Sequence, residues 1–510
     1  MEVIGTSADA QFGSALYNDV ELGAIGAGGN ITIDTKRLTV RDGALVQAST
    51  FGKGAAGNLT INATESVEVI SSVVVEALEA PSALATFVGS AATGDGGSLT
   101  IETGRLTIRD GAQIYAGTLG KGKAGTLTVR ASDSVELIGT LVTFGGLGSA
   151  LATSVEPTAA GDGGNLTIET GRLTIRDGAA VSSSTFGSGA AGTLAVTASE
   201  LVELIGTSAD GQFPSRLTAR TTGNGAAGNL TIETGQLFVR DGAVVTVSST
   251  GSGNAGNLEV QARSIRLDKQ ATLSSETASG QGNIFLRSQD LVLRHSSDIT
   301  TNSTGTTSGG NITINTGVIA ALENSDITAN AVKGQGGNIQ INTQGIFGAE
   351  FRSESTPQSD ITASSQLGIN GTVQINTLDI DPSRGLFTLP TEPVNVTNLI
   401  AQGCPGSGGN VARGSSEFII IGRGGLPPYQ PGEPLRAEAL IVDADRIEAE
   451  GENRLASVTF TPPTYSTPAP LVEATGWMFN DKGEVVLTAY PTLAKPYSSS
   501  STSTTTCYAP

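Results

Sequence analysis

The residues of this chain best suited to chemistry are four Arg-Asp pairs, each followed by Gly: Arg41–Asp42, Arg109–Asp110, Arg176–Asp177 and Arg240–Asp241. Converging carboxylates can move protons, and carboxylates beside a basic residue can hold a cation against an acidic substrate. A lone histidine, His295, falls where other units carry the Asp of that triplet. The two cysteines, Cys404 and Cys507, show neither a C-x-x-C pair nor metal-ligand spacing. They can form one disulfide in an oxidising compartment or remain two free thiols. Against catalysis stands the regularity of the acids. Asp-Gly is a turn dipeptide, an outward Arg beside it offers screened surface pairing, and no acid pair breaks the period. "GDGG" occurs at 94–97 and 161–164 only, without the nonapeptide period of calcium-binding β-helices. The reading is therefore no catalytic residue, no metal and no cofactor, with His295 an exposed turn residue.

These triplets sit inside a repeat. The residue after each Gly-rich corner falls at Asn30, Asn58, Ser98, Thr126, Asn165, Thr193, Asn229, Asn257, Asn283, Asn311, Asn338 and Thr372, with successive spacings of 28, 40, 28, 39, 28, 36, 28, 26, 28, 27 and 34. One short unit, Gly163 to Gly192, reads "GGNLTIETGRLTIRDGAAVSSSTFGSGAAG". In "NLTIET", Leu166 and Ile168 alternate with Thr167 and Glu169; in "RLTIRDG", Leu173 and Ile175 alternate with polar residues; "AAVSSSTFG" makes a third segment. Period-two alternation predicts half-buried strands. Three short strands per unit, repeated about twelve times, predict an all-β fold: a parallel β-helix over residues 1–376, with about 28 residues in each rung. At about 4.8 Å per paired strand, twelve rungs span on the order of 58 Å. The Asn column (Asn30, Asn58, Asn165, Asn229, Asn257, Asn283, Asn311, Asn338) then becomes a structural polar ladder, each side chain reaching its own turn and its copy above.

Composition agrees with a thin core. Aromatic residues make up 4% and charged residues 15%, while glycine numbers 68 of 510 residues. The net charge of −19 argues against nucleic acid and anionic membrane surfaces as partners. No apolar run is long enough for a spanning helix, and the opening "MEVIGTSADA" has no signal-peptide pattern.

The long units carry extra residues between their second and third strands, at 71–83, 139–150 and near "TSADGQFPS" of 193–228; segments 5–15 and 349–359 match the same place. Insertions at one point of a repeat emerge on one face. In the first half they occupy alternate rungs, roughly 9.6 Å apart. They carry Phe12, Val73, Val74, Val75, Phe144, Phe213 and Phe351, which makes this row the candidate ligand-binding surface.

Residues 2–12, "EVIGTSADAQF", match 203–213, "ELIGTSADGQF", so the chain starts inside a rung. An uncapped solenoid exposes core and strand edges, and the expectation is a C-terminal piece of a longer exoprotein or a truncated gene product. Residues 377–436 read as a Pro/Gly-rich extended segment. Residues 437–494 read as a small β-rich unit, including "GWMFNDKGEVVLTAY" as a hairpin turning at Asn480 to Gly483 beside the sole tryptophan, Trp477. Residues 495–510 read as a low-complexity disordered tail.

The combination of "GGNLTIETGRLTIRDGA" and "ASDSVELIGT" with "DPSRGL", "LIAQGC", "GRGGLPP" and "GWMFNDKGEVVL" resembles the filamentous haemagglutinin-type exoproteins of two-partner secretion, the cyanobacterial set above all, over about residues 2–490. That resemblance implies a right-handed β-helical stalk, export through an outer-membrane pore transporter, and display on the cell surface or release. Adhesion to surface glycans or to host or neighbouring cells is the role it implies. The rival readings are a surface-layer or extracellular-matrix component and, behind it, a polysaccharide-active β-helix enzyme of the pectate lyase kind.

Overall fold

Alternating Leu, Ile and Val with Thr and charged residues leaves each segment one apolar face, which it can bury only against copies of itself. The computed structural model shows that solution. It describes residues 1–5, 13–71, 81–141, 147–377, 476–479 and 485–488. In the first unit, Met1–Thr391, the described residues form a parallel β-helix. Its main sheet orders thirteen successive strands from Glu2–Ile4 through Ile31–Arg41, Leu59–Ile70 and onward to Thr372–Thr377. A second sheet stacks the short strands, from Ala15–Tyr17 to Asp360–Thr362. No helix occurs among the described residues, and none is long and apolar enough to cross a membrane.

The rung differs in detail from three separate strands. From Ile31 to Asp268 the first two segments run on as one strand of 11 or 12 residues. The units that read "ETG" are one residue shorter than their neighbours there, so the pairing shifts, as between Thr170/Arg172 opposite Ala198 and Leu201. Gly171 meets this bulge: a Cβ on it would press on the Asp133 carbonyl oxygen. Beyond that point the strand divides, into Asn283–Arg287 and Asp290–Arg294. The third segment pairs over only three residues in the early rungs, as in Ala180–Ser182, and over six from Arg216–Thr221 to Thr272–Thr277. The chain then touches its neighbours at single parallel bridges, such as Val155↔Thr185↔Thr221.

The core is a set of ladders. Leu127, Leu166, Leu194, Leu230 and Leu258 lie in one column, each in register with the next. Leu151, Val181, Leu217, Val245 and Leu273 form another on the second sheet. All ten are fully buried, and every buried apolar residue is Val, Ile, Leu or Ala. Glycine explains how rungs come so close at the corner before each polar column. A Cβ on Gly125, Gly164, Gly192, Gly228 or Gly256 would overlap the carbonyl oxygen of the glycine one rung earlier. Those carbonyls also accept from buried hydroxyls: Thr153 and Ser183 both donate to Gly164 O, at 2.7 and 3.1 Å.

In the second unit, Gly476–Phe479 and Val485–Thr488 form the antiparallel hairpin expected of "GWMFNDKGEVVLTAY". The expected tail and extended segment, Cys404 and Cys507 lie outside the described residues.

Candidate functional site

The loops leave the coil at the corner between the long strand and the short one, and two kinds of corner alternate there. In the short rungs the corner is a pair of consecutive left-handed residues. Asp42–Gly43, Asp110–Gly111, Asp177–Gly178 and Asp241–Gly242 all have positive φ, the conformation for which Asp-Gly is suited. Before three of the insertions a single glycine, Gly5, Gly139 or Gly206, takes positive φ; Ser71 holds the equivalent place in the rung from Asn58.

A serine closes each insertion. Ser215 Oγ donates to Ile205 O at 2.7 Å and accepts from Gly178 N–H of the preceding short rung at 3.0 Å. Ser149 does the same with Ile138 O at 2.7 Å and Gly111 N–H at 3.0 Å. Ser82 repeats it with Ile70 O at 2.7 Å and Gly43 N–H at 3.0 Å. Ser14 Oγ donates to Ile4 O at 2.8 Å. Ser82, Ser149 and Ser215 are fully buried. At Ser82, Ser149 and Ser215 one hydroxyl thus satisfies the carbonyl at which the loop departs and the amide of the turn below it, tying these three loops to the preceding rung. The periodic reading of the insertions passed over these residues; the signal was a serine closing each inserted segment.

Two of the insertions show pairing among their described residues. Thr140–Leu141 pairs antiparallel with Leu147–Gly148. In the next loop Thr207 bridges Pro214, Ser208 N–H donates to Phe213 O at 2.7 Å and Gly211 N–H donates to Ser208 O at 2.8 Å. The Asp210 carboxylate accepts from the Ser208 hydroxyl and, at 3.1 Å, from Gln212 N–H; the hydroxyl bond, first among the causes, holds its pKa below the usual value. Phe213 is half-buried against this hairpin. Phe12, Val73, Val74, Val75 and Phe144 lie outside the described residues.

Segment 349–359 departs from the row. Glu350–Phe351 forms a parallel strand on Asp360–Ile361 at the edge of the second sheet. Arg352 pins it, bonding Asp360, Ser359 O at 3.1 Å and Glu350 at 3.1 Å. Phe351, 58% exposed, therefore covers a sheet edge rather than standing among the hairpins.

The acids fall into structural pairs. Arg41–Asp42 lie 2.9 Å apart, Arg176–Asp177 3.0 Å and Arg240–Asp241 2.9 Å. His295 occupies the left-handed corner position and is exposed, with Nδ1 2.6 Å from Asp268 and Nε2 3.1 Å from Glu323. Among the described residues no group of three or more His, Cys, Asp or Glu is arranged to hold a metal ion. The Asn column is hydrogen-bonded rung to rung. Asn58 N–H donates to Asn30 Oδ1 at 2.9 Å, Asn257 N–H to Asn229 Oδ1 at 2.9 Å, Asn283 Nδ2 to Asn257 Oδ1 at 2.9 Å and Asn338 Nδ2 to Asn311 Oδ1 at 3.0 Å. Asn165 Oδ1 accepts Thr193 N–H at 3.0 Å.

Searches against protein-family models, curated proteins and solved structures match this chain to none of them.

Proposed function

We propose that this chain is a non-catalytic, adhesin-type β-helical stalk that attaches through the hairpins on its alternate rungs. The observation that carries this reading is the serine clasp. Hairpins at Gly139–Ser149 and Gly206–Ser215 are fixed at their bases to the turns between them, so they stand in register along one edge. A surface-presented loop held by its own hydrogen bonds, as 206–215 is, loses little entropy on binding. The ion-paired Asp of the corner triplets supports a non-catalytic role, since each carboxylate already has its guanidinium.

The same reading places the chain outside a Gram-negative-type bacterium, on its outer-membrane surface or released, after passage through the pore transporter of a two-partner system. It takes no cofactor and no nucleic acid, and surface glycans or neighbouring cells are its targets. Treating intact producing cells with a non-penetrating protease tests this. Loss of the intact chain, with cytoplasmic controls untouched, is expected; full protection in the cytoplasm overturns the reading.

A further inference from the structure

Outward-facing charges on the first half of the main sheet neutralise one another: Arg130 sits between Glu102 at 3.5 Å and Glu169 at 3.2 Å. The same face changes at the rung of Asn283–Arg287. There a shallow groove of about 400 Å³ opens, lined by Glu259, Gln261, Phe285, Arg287, Thr313 and Asn315. Phe285 stands between Glu259 and Thr313 in register, and Arg287 between Gln261 and Asn315. Phe285 is 39% exposed among the polar side chains of its own segment, while the second segment carries Phe238, Val292 and Phe347 on the same face.

The polar groups around it face solvent: Glu259, Gln261 and Arg287 are exposed. The side chains of Glu259, Gln261, Arg287 and Thr313 form no hydrogen bond or ion pair with any described residue, although every one is a strong donor or acceptor. Downstream, Asn376 Nδ2 donates to Asn342 Oδ1 at 2.8 Å and Asn342 Nδ2 to Asn315 Oδ1 at 2.7 Å. That amide ladder runs in one direction and ends at Asn315, whose Nδ2 is left as a free donor beside Arg287. An aromatic platform is thus ringed by donors (Arg287, Asn315, Gln261) and acceptors (Glu259, Gln261), with its one positive and one negative charge cancelling.

The geometry points to this groove as a binding site for a neutral sugar unit of a polysaccharide. Vicinal hydroxyls both donate and accept, which matches a carboxylate, amides and a guanidinium at adjacent positions. The C–H face of a pyranose packs on an aromatic ring. The net charge of −19 and the Glu259 carboxylate repel a polyanion. The strand backbones beneath the groove are already paired with both neighbouring rungs, so a peptide finds no edge to join.

Affinity electrophoresis of the full chain through gels containing galactomannan, mixed-linkage β-glucan or polygalacturonate tests the site. Retardation by at least one neutral polysaccharide is expected. Phe285→Ala should weaken it about tenfold or more, Arg287→Gln should weaken it also, and the circular dichroism of both variants should match the parent. Shortening the hairpin at Gly206–Ser215 should leave it unchanged, which separates this site from the loop row. The proposal is overturned by no retardation in either neutral gel, by retardation in polygalacturonate alone, or by retardation that survives both substitutions.

Discussion

Residues 30–256 and residues 257–377 wind the same coil with different chemistry. In the first region long and short rungs alternate, the corners are Asp-Gly, and exposed charges pair across the main sheet. In the second, the rungs starting at Asn257, Asn283 and Asn311 are all short. Their corners, Lys269–Gln270, His295–Ser296 and Glu323–Asn324, hold two left-handed residues with no glycine. Carboxylates stack where the first region carries Leu45, Ala83, Gln113, Ala150, Ala180, Arg216 and Val244: Asp326 N–H donates to Asp298 Oδ1 at 3.1 Å and Asp360 N–H to Asp326 Oδ1 at 2.9 Å. The serine seam continues without loops, Ser297 Oγ donating to Arg294 O at 2.7 Å and accepting from Ala271 N–H at 3.2 Å. The seam therefore belongs to the coil, and the hairpins of the first region are built upon it. The backbone winding depends on the glycine and apolar columns and the serine seam, which both regions share; the loops, corners and outward charges vary.

The largest expected effect tests that shared part. Gly192→Ala in the first region and Gly337→Ala in the second each place a methyl inside the carbonyl oxygen of the previous rung. Each should cost about 3 kcal/mol in a denaturant titration. A loss in one region only would mean that the glycine column is not common to both. Ser215→Ala comes next. It orphans the buried Gly178 amide and should cost about 2 kcal/mol, with faster hydrogen exchange at Gly178 and across residues 207–214. Ser297→Ala should cost a similar amount while loosening no hairpin.

The corners differ in strain. Gln270→Gly and Ser296→Gly should each stabilise the chain by about 1 kcal/mol, since left-handed backbone is costly for a residue with a Cβ. Gly178→Ala should destabilise it by a like amount; thermal unfolding reads both signs. The smallest effect is pH-dependent. Burial lifts the Asp298 carboxyl from 3.8 to about 6, against the bond it accepts from Asp326. The folded chain thus holds this proton more tightly than the unfolded one. Its contribution is full below about pH 3.8 and is lost as pH rises through about 6. Asp298→Asn should flatten that slope and raise stability at pH 7, on the order of 1 kcal/mol once solvent screening is discounted. An unchanged slope would remove Asp298 from the account.

What was legible in the sequence was whatever repeated. Leu166 and Ile168 alternate with polar neighbours because one strand face is buried, so strands, register and the place of the insertions could be read from spacing. His295 was placed at its corner by alignment alone. The merging of two segments into one long strand was hidden because "TG" reads as a turn, whereas Gly171 serves a bulge inside a continuous strand. Ser215 and its counterparts were hidden because their role depends on a rung some 37 residues away. Phe285 and Arg287 gave no signal, since they occur once and a repeat draws attention to what recurs. Phe351 matched the insertion template by position, but Arg352 folds its segment onto a sheet edge.

The most direct test of the central claim exploits the two corner types. In register, Ile205 lies over Arg176 and Arg216 over Ala180, so the short corner Asp177–Ala179 can stand in for residues 206–215. Replacing 5–14, 71–82, 139–149 and 206–215 each by Asp-Gly-Ser removes all four insertions while keeping a turn the coil already uses and the serine that closes it. Particles coated with the full chain and with this loopless chain would be compared for retention on neighbouring cells. Retention by the full chain and its loss in a loopless chain of unchanged circular dichroism is the result predicted. Equal retention by both, or none by the full chain, would contradict it.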